Sequence, residues 1–295
     1  MAEFLAVDDF VTDRGFFLKL LDDRHGPIMT RAIYRIKGLL ICYLMPEDVT
    51  PVRLNPETLA AFETYIREAE AAMEQTLAGA DFLWSDREPK RAKQVREGKV
   101  AAGFWRGNGP VKVPAGLIHD WIGAALIPGA TMESTLARIQ DYDNHKQYYR
   151  PEVLASKLIA RSGDDFKIYL RVLKKKIITV VLDTDHDVHY FTVDSTRAGC
   201  RSYTTRTAEV DKAGKPDEIV EAPDTGYGFL WRLNSYWRFE QRAEGVYAEC
   251  RAISLTRDIP AALRWIIDPI VRSLPKESLV RTLRGTRDAV VGRSM

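Results

Sequence analysis

Few residues in this chain of 295 have the type and spacing to do chemistry. Tyr142, Asp143, His145, Tyr148, Tyr149 and Arg150 crowd one short stretch. There, His145 has the side chain suited to a general base or polar anchor, and Tyr149 could pass a proton. No acid that would orient His145 can be assigned from the sequence, so a surface or helix-capping histidine competes with the catalytic reading. A second group, His186 and His189 with Asp183, Asp185 and Asp187 in DTDHDVH, has metal-ligand chemistry. Its histidines differ in strand parity, and Asp-rich turns form for turn chemistry alone, so no metal is expected. Cys42, Cys200 and Cys250 lack C-x-x-C spacing. Cys200 and Cys250 fall in strand-like segments and read as small hydrophobes. Gly107-Asn108-Gly109 lacks the third glycine of a dinucleotide loop, nothing before Gly214-Lys215 makes a P-loop, and no G-x-S-x-G occurs. No cofactor and no catalytic residue is therefore assigned.

What remains is aromatic carbon: 6 Trp, 12 Tyr and 11 Phe, concentrated where a ligand wall could be built. Alternation along Gly228 to Glu240 places Phe229, Trp231, Leu233, Ser235, Trp237 and Phe239 on one face of a strand. The next strand sets Ala248 and Cys250 opposite them, and small residues facing large rings leave room. The expected pocket is lined by Trp121, Tyr142, His145, Tyr149, Leu170, Phe229, Trp231, Ser235, Trp237, Ala248, Cys250, Ile267 and Val271. Such a lining, mostly carbon with few polar groups, suits an apolar ligand, although the same rings could simply fill a core.

The elements that must hold these residues are legible. Asn55 caps and Pro56 opens a helix whose apolar stripe runs Leu59, Phe62, Ile66, Ala69, Met73, Leu77. Residues 85–99 are mostly charged and read as a solvated linker or surface helix. A strand through Leu117 to Ile127 follows, then a helix capped by Thr131. After Pro151, strands are expected at about 153–161, 165–174, 176–183, 188–194, 200–210, 227–241 and 245–256, with turns that include Asp183 to Asp187. Hairpin-length connections make the sheet antiparallel. A last helix begins at Pro260 with the stripe Leu263, Ile266, Ile267, Ile270, Val271, Leu274, and Pro269 and Pro275 should kink or interrupt it before a second piece from Glu277.

This order, with GLIHDWIGAALIPGATMESTLARIQDYDNHKQYYRP (Gly116 to Pro151), GFLWRLNSYWRFE (Gly228 to Glu240) and YAECRAISLTRDIP (Tyr247 to Pro260), resembles the START-like, or SRPBCC, superfamily. Bacterial members of the polyketide-cyclase and lipid-transport type are the most similar. The resemblance covers roughly residues 100 to 291. It implies an α+β helix-grip fold: a curved antiparallel sheet around a long C-terminal helix, with a deep cavity between them. The expected organisation is an N-terminal extension over 1–54, a helical extension and charged linker over 55–110, and a START-like domain over 111–291. The superfamily has no shared catalytic signature. Binding or transport of a lipid or polyketide-like molecule therefore stands beside a cyclase or hydro-lyase using His145 or Tyr149.

Charge narrows the partners. The 43 Lys+Arg against 41 Asp+Glu leave a formal charge of +2, and no basic block is dense enough to follow phosphates, so a hydrophobic small molecule is expected rather than nucleic acid. The apolar run Gly38 to Met45 is too short to span a bilayer. From Met29, Arg31, Arg35 and Lys37 precede it like a weak export signal without a cleavage site, implying an exported or periplasmic protein. From Met1, the acidic amino terminus implies a cytoplasmic one.

Overall fold

A computed structural model describes residues 52–79, 81–175, 179–258 and 264–292, the side chains of 264–273 excepted. The readings of Met29 and of the run 38–45 lie outside the described residues.

The chain enters through β1 (Val52–Arg53) and α1 (Pro56–Glu74). Asn55 caps α1 as its spacing predicts, its side chain accepting from the Glu57 amide at 2.8 Å. A 3-10 turn (Trp84–Arg87) and α2 (Pro89–Arg96) take up the charged stretch. Then come β2 (Ala101–Phe104), β3 (Val111–Val113) and β4 (Gly116–Pro128). The Thr131 cap forms a capping box with Ser134 and opens α3 (Met132–Ile139), and a 3-10 turn (Tyr142–Asn144) leads into α4 (His145–Tyr148). The hairpins are β5 (Val153–Ser162), β6 (Asp165–Lys175), β7 (Thr179–Thr192) and β8 (Arg197–Asp211). Two short strands, β9 (Ile219–Val220) and β10 (Thr225–Gly226), precede β11 (Arg232–Arg242), β12 (Gly245–Arg257) and α5 (Arg264–Val290).

The main sheet has ten strands in the order β2-β4-β12-β11-β8-β7-β6-β5, with β3 added to β4 and β9 to β8, and every pairing is antiparallel. The sheet curves, and α5 lies against its inner face. The fold is thus the expected α+β helix grip. Leu279 and Leu283 of α5 bury against Trp121, Trp237, Ala248 and Cys250, which identifies the inner set of side chains. Gly123 of β4 marks the closest approach, since a Cβ there would stand 2.8 Å from Leu283 Cδ1 and 3.0 Å from the Ala101 carbonyl.

The outer face is covered as well. Phe62, Ile66 and Ala69 of α1 pack on Ile118, Tyr236, Ile253 and Leu255, while Phe82, Leu83, Trp84 and Val95 pack on Ile122, Ala124, Leu126 and Tyr247. The apolar stripe of α1 finds its partner there. As a result β4 is buried on both faces from Gly116 to Ile127, which explains its almost unbroken apolar sequence. β2 lies within the stretch read as linker and is an edge of the sheet, so the sheet starts at 101 rather than 111.

Two further expectations are corrected. The turn read at Asp183 to Asp187 is the middle of one strand, β7, of 14 residues. Alternation turns Asp183, Asp185 and Asp187 outward, to Arg171 at 2.8 Å, Arg206 at 3.5 Å and Lys167 at 3.1 Å, and Thr184 and His186 inward. Cross-strand cations override the local turn propensity of the aspartates. Second, α5 runs through Pro269 and Pro275 without a break. Each proline removes one donor, but the remaining turns and the packing of Leu279 and Leu283 hold the helix together. The outer face carries charged side chains that are buried: Asp120, Arg238, Glu249 and Arg251. Arg251 and Asp120 are 4% and 5% exposed and joined by two hydrogen bonds, at 2.9 and 2.5 Å. Arg238 donates to the Met73 and Phe82 carbonyls and to Thr76 at 2.6, 2.7 and 2.9 Å, closing the C-terminal end of α1.

Glu249 sits in the same outer layer, accepting from the Trp84 amide at 2.5 Å, and burial pushes its pKa up from 4.5 to about 7. Between those values the unfolded chain gives up this proton before the folded one does, so folding should weaken as pH rises from about 4.5 to 7 and level off above. The loss is of the order of 3 kcal/mol. Urea melts across that window should show this slope in the parent and a flatter profile in Glu249→Gln.

Candidate functional site

The candidate site is the inner face of the sheet, on the side of α5. Its floor has two halves. Near α3 it is packed carbon: Phe239, Val246, Ala248, Ile127 and Ile139 are buried together, with Tyr142, Phe166 and Tyr190 at 5.2–5.6 Å ring spacing. Toward the middle, Leu233, Ser235, Ser202, Ala252, Leu170 and Val172 keep part of their surface exposed, although the side chains beside them on the same face are buried. These six belong to β11, β8, β12 and β6, and register sets Ser202, Ser235 and Ala252 side by side across three strands. All three of these side chains are small and none is fully buried.

Beyond that row the floor turns polar. His119, Ser254, Thr204, His186, Thr184 and Thr207 all face inward and are buried. The last of these does so because β8 bulges after Thr204, where successive pairs run His186 with Thr204 and Asp185 with Arg206, skipping one residue. Burial pulls the pKa of both His119 and His186 down to about 4, so each is neutral near pH 7.

Of the residues expected to line a pocket, Trp121, Tyr142, Leu170, Trp237, Ala248 and Cys250 belong to the inner cluster, and Ser235 lies on the same face. Tyr149 reaches α5, its hydroxyl 3.0 Å from Thr286 Oγ1, and burial pushes its pKa up to about 12. His145 is buried rather than on the surface, and its Nε2 meets the Ile139 carbonyl at 2.8 Å. A carbonyl only accepts, so this nitrogen carries the proton and the imidazole closes the last turn of α3. Burial also brings the His145 pKa down to about 4. Phe229 and Trp231 are not in the wall. Both precede β11, which begins at Arg232, so strand parity does not reach them. Phe229 is 40% exposed beside Tyr227, and Trp231 folds over Gly228 into the outer cluster under α1. Gly228 has φ +76° and a Cβ there would sit 2.8 Å from the Trp231 ring, so glycine is required. The side chains of Ile267 and Val271 lie outside the described residues.

Sequence reasoning passed over His119, His186, Thr184, Thr204 and Thr207 as inner-face groups. The signal for His119 was present, two residues before Trp121 in the same strand. That for Thr207 was not, since the bulge that turns it inward has no local signature. Cys200 and Cys250 are buried thiols separated by Trp237, and burial pushes Cys200 up to about 12, so neither is a nucleophile. Among the described residues no group of three His, Cys, Asp or Glu side chains could hold a metal ion, and no helix is long and apolar enough to cross a membrane. Two small clefts of about 20 and 10 Å³ lie on the outer face between α1 and the sheet, each with room for about one water.

The architecture defines a helix-grip protein whose inner face is half apolar and half neutral-polar. No protein-family model matches the chain, and no curated protein matches it. Among solved structures it is similar to a STAR-related lipid transfer protein from Xanthomonas axonopodis, at 16% identity and TM-score 0.43 over 62% of this chain and 97% of that one. It is also similar to human STARD10, at 10% identity and TM-score 0.40 over 73% and 84% of the two chains. The Zhui aromatase/cyclase from a Streptomyces species gives 10% identity and TM-score 0.39 over 59% and 94%.

Proposed function

We propose that the protein binds an uncharged hydrophobic small molecule, lipid or polyketide-like, between the sheet and α5. The observation that carries this is the row Leu233, Ser235, Ser202 and Ala252, partly exposed in the middle of an otherwise buried face. The inner face of a curved sheet is normally its driest region, and two serines and an alanine fill less of it than the large side chains around them would. Burial of ligand carbon at about 0.8 kcal/mol per CH₂ supplies the affinity. The groups a cyclase would use for proton transfer are committed: His145 to the Ile139 carbonyl and Tyr149 to Thr286. The geometry therefore favours carriage over chemistry.

Native mass spectrometry of the purified protein, with titration by the neutral dye Nile red, tests this. A co-purifying apolar mass and saturable binding of one dye per chain are expected. A protein that carries no ligand and gives only linear, unsaturable dye signal overturns the proposal.

A further inference from the structure

The polar half of the inner face holds two histidines in the same hydrogen-bonding arrangement. His119 Nε2 lies 3.1 Å from Thr256 Oγ1, and that hydroxyl donates to the Arg257 carbonyl at 3.3 Å. A hydroxyl has one proton to give, so the ring must be the donor: Nε2 carries hydrogen and Nδ1 is left with a lone pair. Nδ1 is buried and has no partner among the described residues. His186 repeats the pattern on the other side of the sheet. Its Nε2 lies 2.9 Å from Thr184 Oγ1, whose proton goes to the Leu170 carbonyl at 3.1 Å. Its Nδ1 faces Thr204 Oγ1 at 3.5 Å, but the Thr204 proton is held by the Leu233 carbonyl at 2.5 Å. That nitrogen too is an acceptor without a donor.

The two residues occupy one cross-sheet row. His119 pairs with Ser254, Ser254 with Leu233, and Thr204 with His186, so the imidazoles stand four strand spacings of about 4.8 Å apart along the curved floor. That separation excludes a shared metal ion. A buried acceptor left unpaired costs about 1–3 kcal/mol, and two of them framing a partly open row are unfavourable unless something donates to them. Among the described residues, the buried arginines Arg238 and Arg251 belong to the outer layer, and of the lysines near α5, Lys174 pairs with Glu152 at 2.8 Å while Lys276 stands 6.0 Å from the Trp121 ring. Glu209, which the bulge also turns inward, is occupied by the amides of Tyr227, Gly228 and Phe229 at 2.8–3.2 Å.

We infer that His119 and His186 form a hydroxyl-reading edge of the ligand site, each accepting a hydrogen bond at Nδ1, so that the ligand class is apolar molecules carrying alcohol or phenol groups rather than pure hydrocarbons or ethers. This rests on the ligand-binding reading above. The threonines set the tautomer, and the tautomer sets the specificity.

Displacement of Nile red by 1-hexadecanol and by its methyl ether isolates the donated proton, because the two differ by one methyl group and the ether is the more apolar. Hexadecanol should displace dye from the parent protein at about tenfold lower concentration, the effect of one to two hydrogen bonds. His119→Phe and His186→Phe should each narrow that ratio toward one, whereas His119→Asn, which can place an acceptor oxygen where Nδ1 was, should keep it. If one phenylalanine variant fails to fold, the other reads the same quantity. Saturable dye binding with no alcohol preference, or a preference that both phenylalanine variants retain, overturns this inference and leaves the binding site standing. No saturable dye binding in the parent overturns both.

Discussion

Replacing Asp120 by alanine should remove about 3–5 kcal/mol of stability, a large fraction of what a domain of this size has. Asp120 lies on the outer side of β4, 5% exposed, accepting from Arg251 Nε and Nη2 and from the Tyr65 hydroxyl at 2.7 Å. Arg251 is flanked on its other side by the Trp105 ring, 4.4 Å from the guanidinium carbon, and its Nη1 has no hydrogen-bond partner. Removing the carboxylate leaves a buried guanidinium without the carboxylate that pairs it. A charge buried alone costs far more than a paired charge contributes. The double variant Asp120→Ala/Arg251→Met should recover most of the loss. Urea unfolding of the two singles and the double forms a cycle whose coupling energy should exceed about 2 kcal/mol, and strictly additive losses would mean that the pair is not coupled.

A tryptophan in place of Ser235 should abolish dye and ligand binding with little effect on folding. The two readings of the inner face predict opposite patterns. If the row of Ser202, Ser235 and Ala252 borders open space, an indole burying 150–250 Å² fills it, the melting temperature changes little and the binding capacity disappears. If the row is packed, overfilling it costs about 1–3 kcal/mol and leaves no binding to lose. Thermal melts and Nile red titrations on the same samples separate them. Ser202→Trp, one strand away, should behave alike.

Much of the architecture was readable before any coordinates. Asn55 with Pro56 and the Thr131 cap each identified an element, and the alternation read from Gly228 to Glu240 holds its inward set from Leu233 to Phe239 although the opposite set is buried too, because caps and period-two patterns are local and strong. The errors came where a distant contact outweighs the local code. DTDHDVH reads as a turn by composition, and only the bases on β6 and β8 show why it stays extended. Trp231 shares parity with Trp237, yet the strand starts one residue after it and the ring turns to the other side of the sheet. The polar half of the site was the least legible. His119 reads as one polar residue in an apolar run, and His186 as a failed metal ligand. Their shared feature, a threonine whose proton is spent elsewhere, depends on pairings between β4 and β12 and between β6, β7 and β8 that no single segment contains.

The burial of β4 on both faces has a consequence for variation. A strand at a protein surface tolerates change at every second position, and its sequence drifts with that rhythm. In β4 the rhythm is absent: Ile118, Asp120 and Ile122 answer to α1, α2 and their neighbours, while His119, Trp121 and Gly123 answer to the inner face and α5. Neighbouring letters thus carry different kinds of constraint, one set recording how the outer helices dock and the other what the site accepts. Outward and inward changes in this strand should therefore separate by phenotype, the outward ones reducing the amount of folded protein and the inward ones altering its choice of ligand.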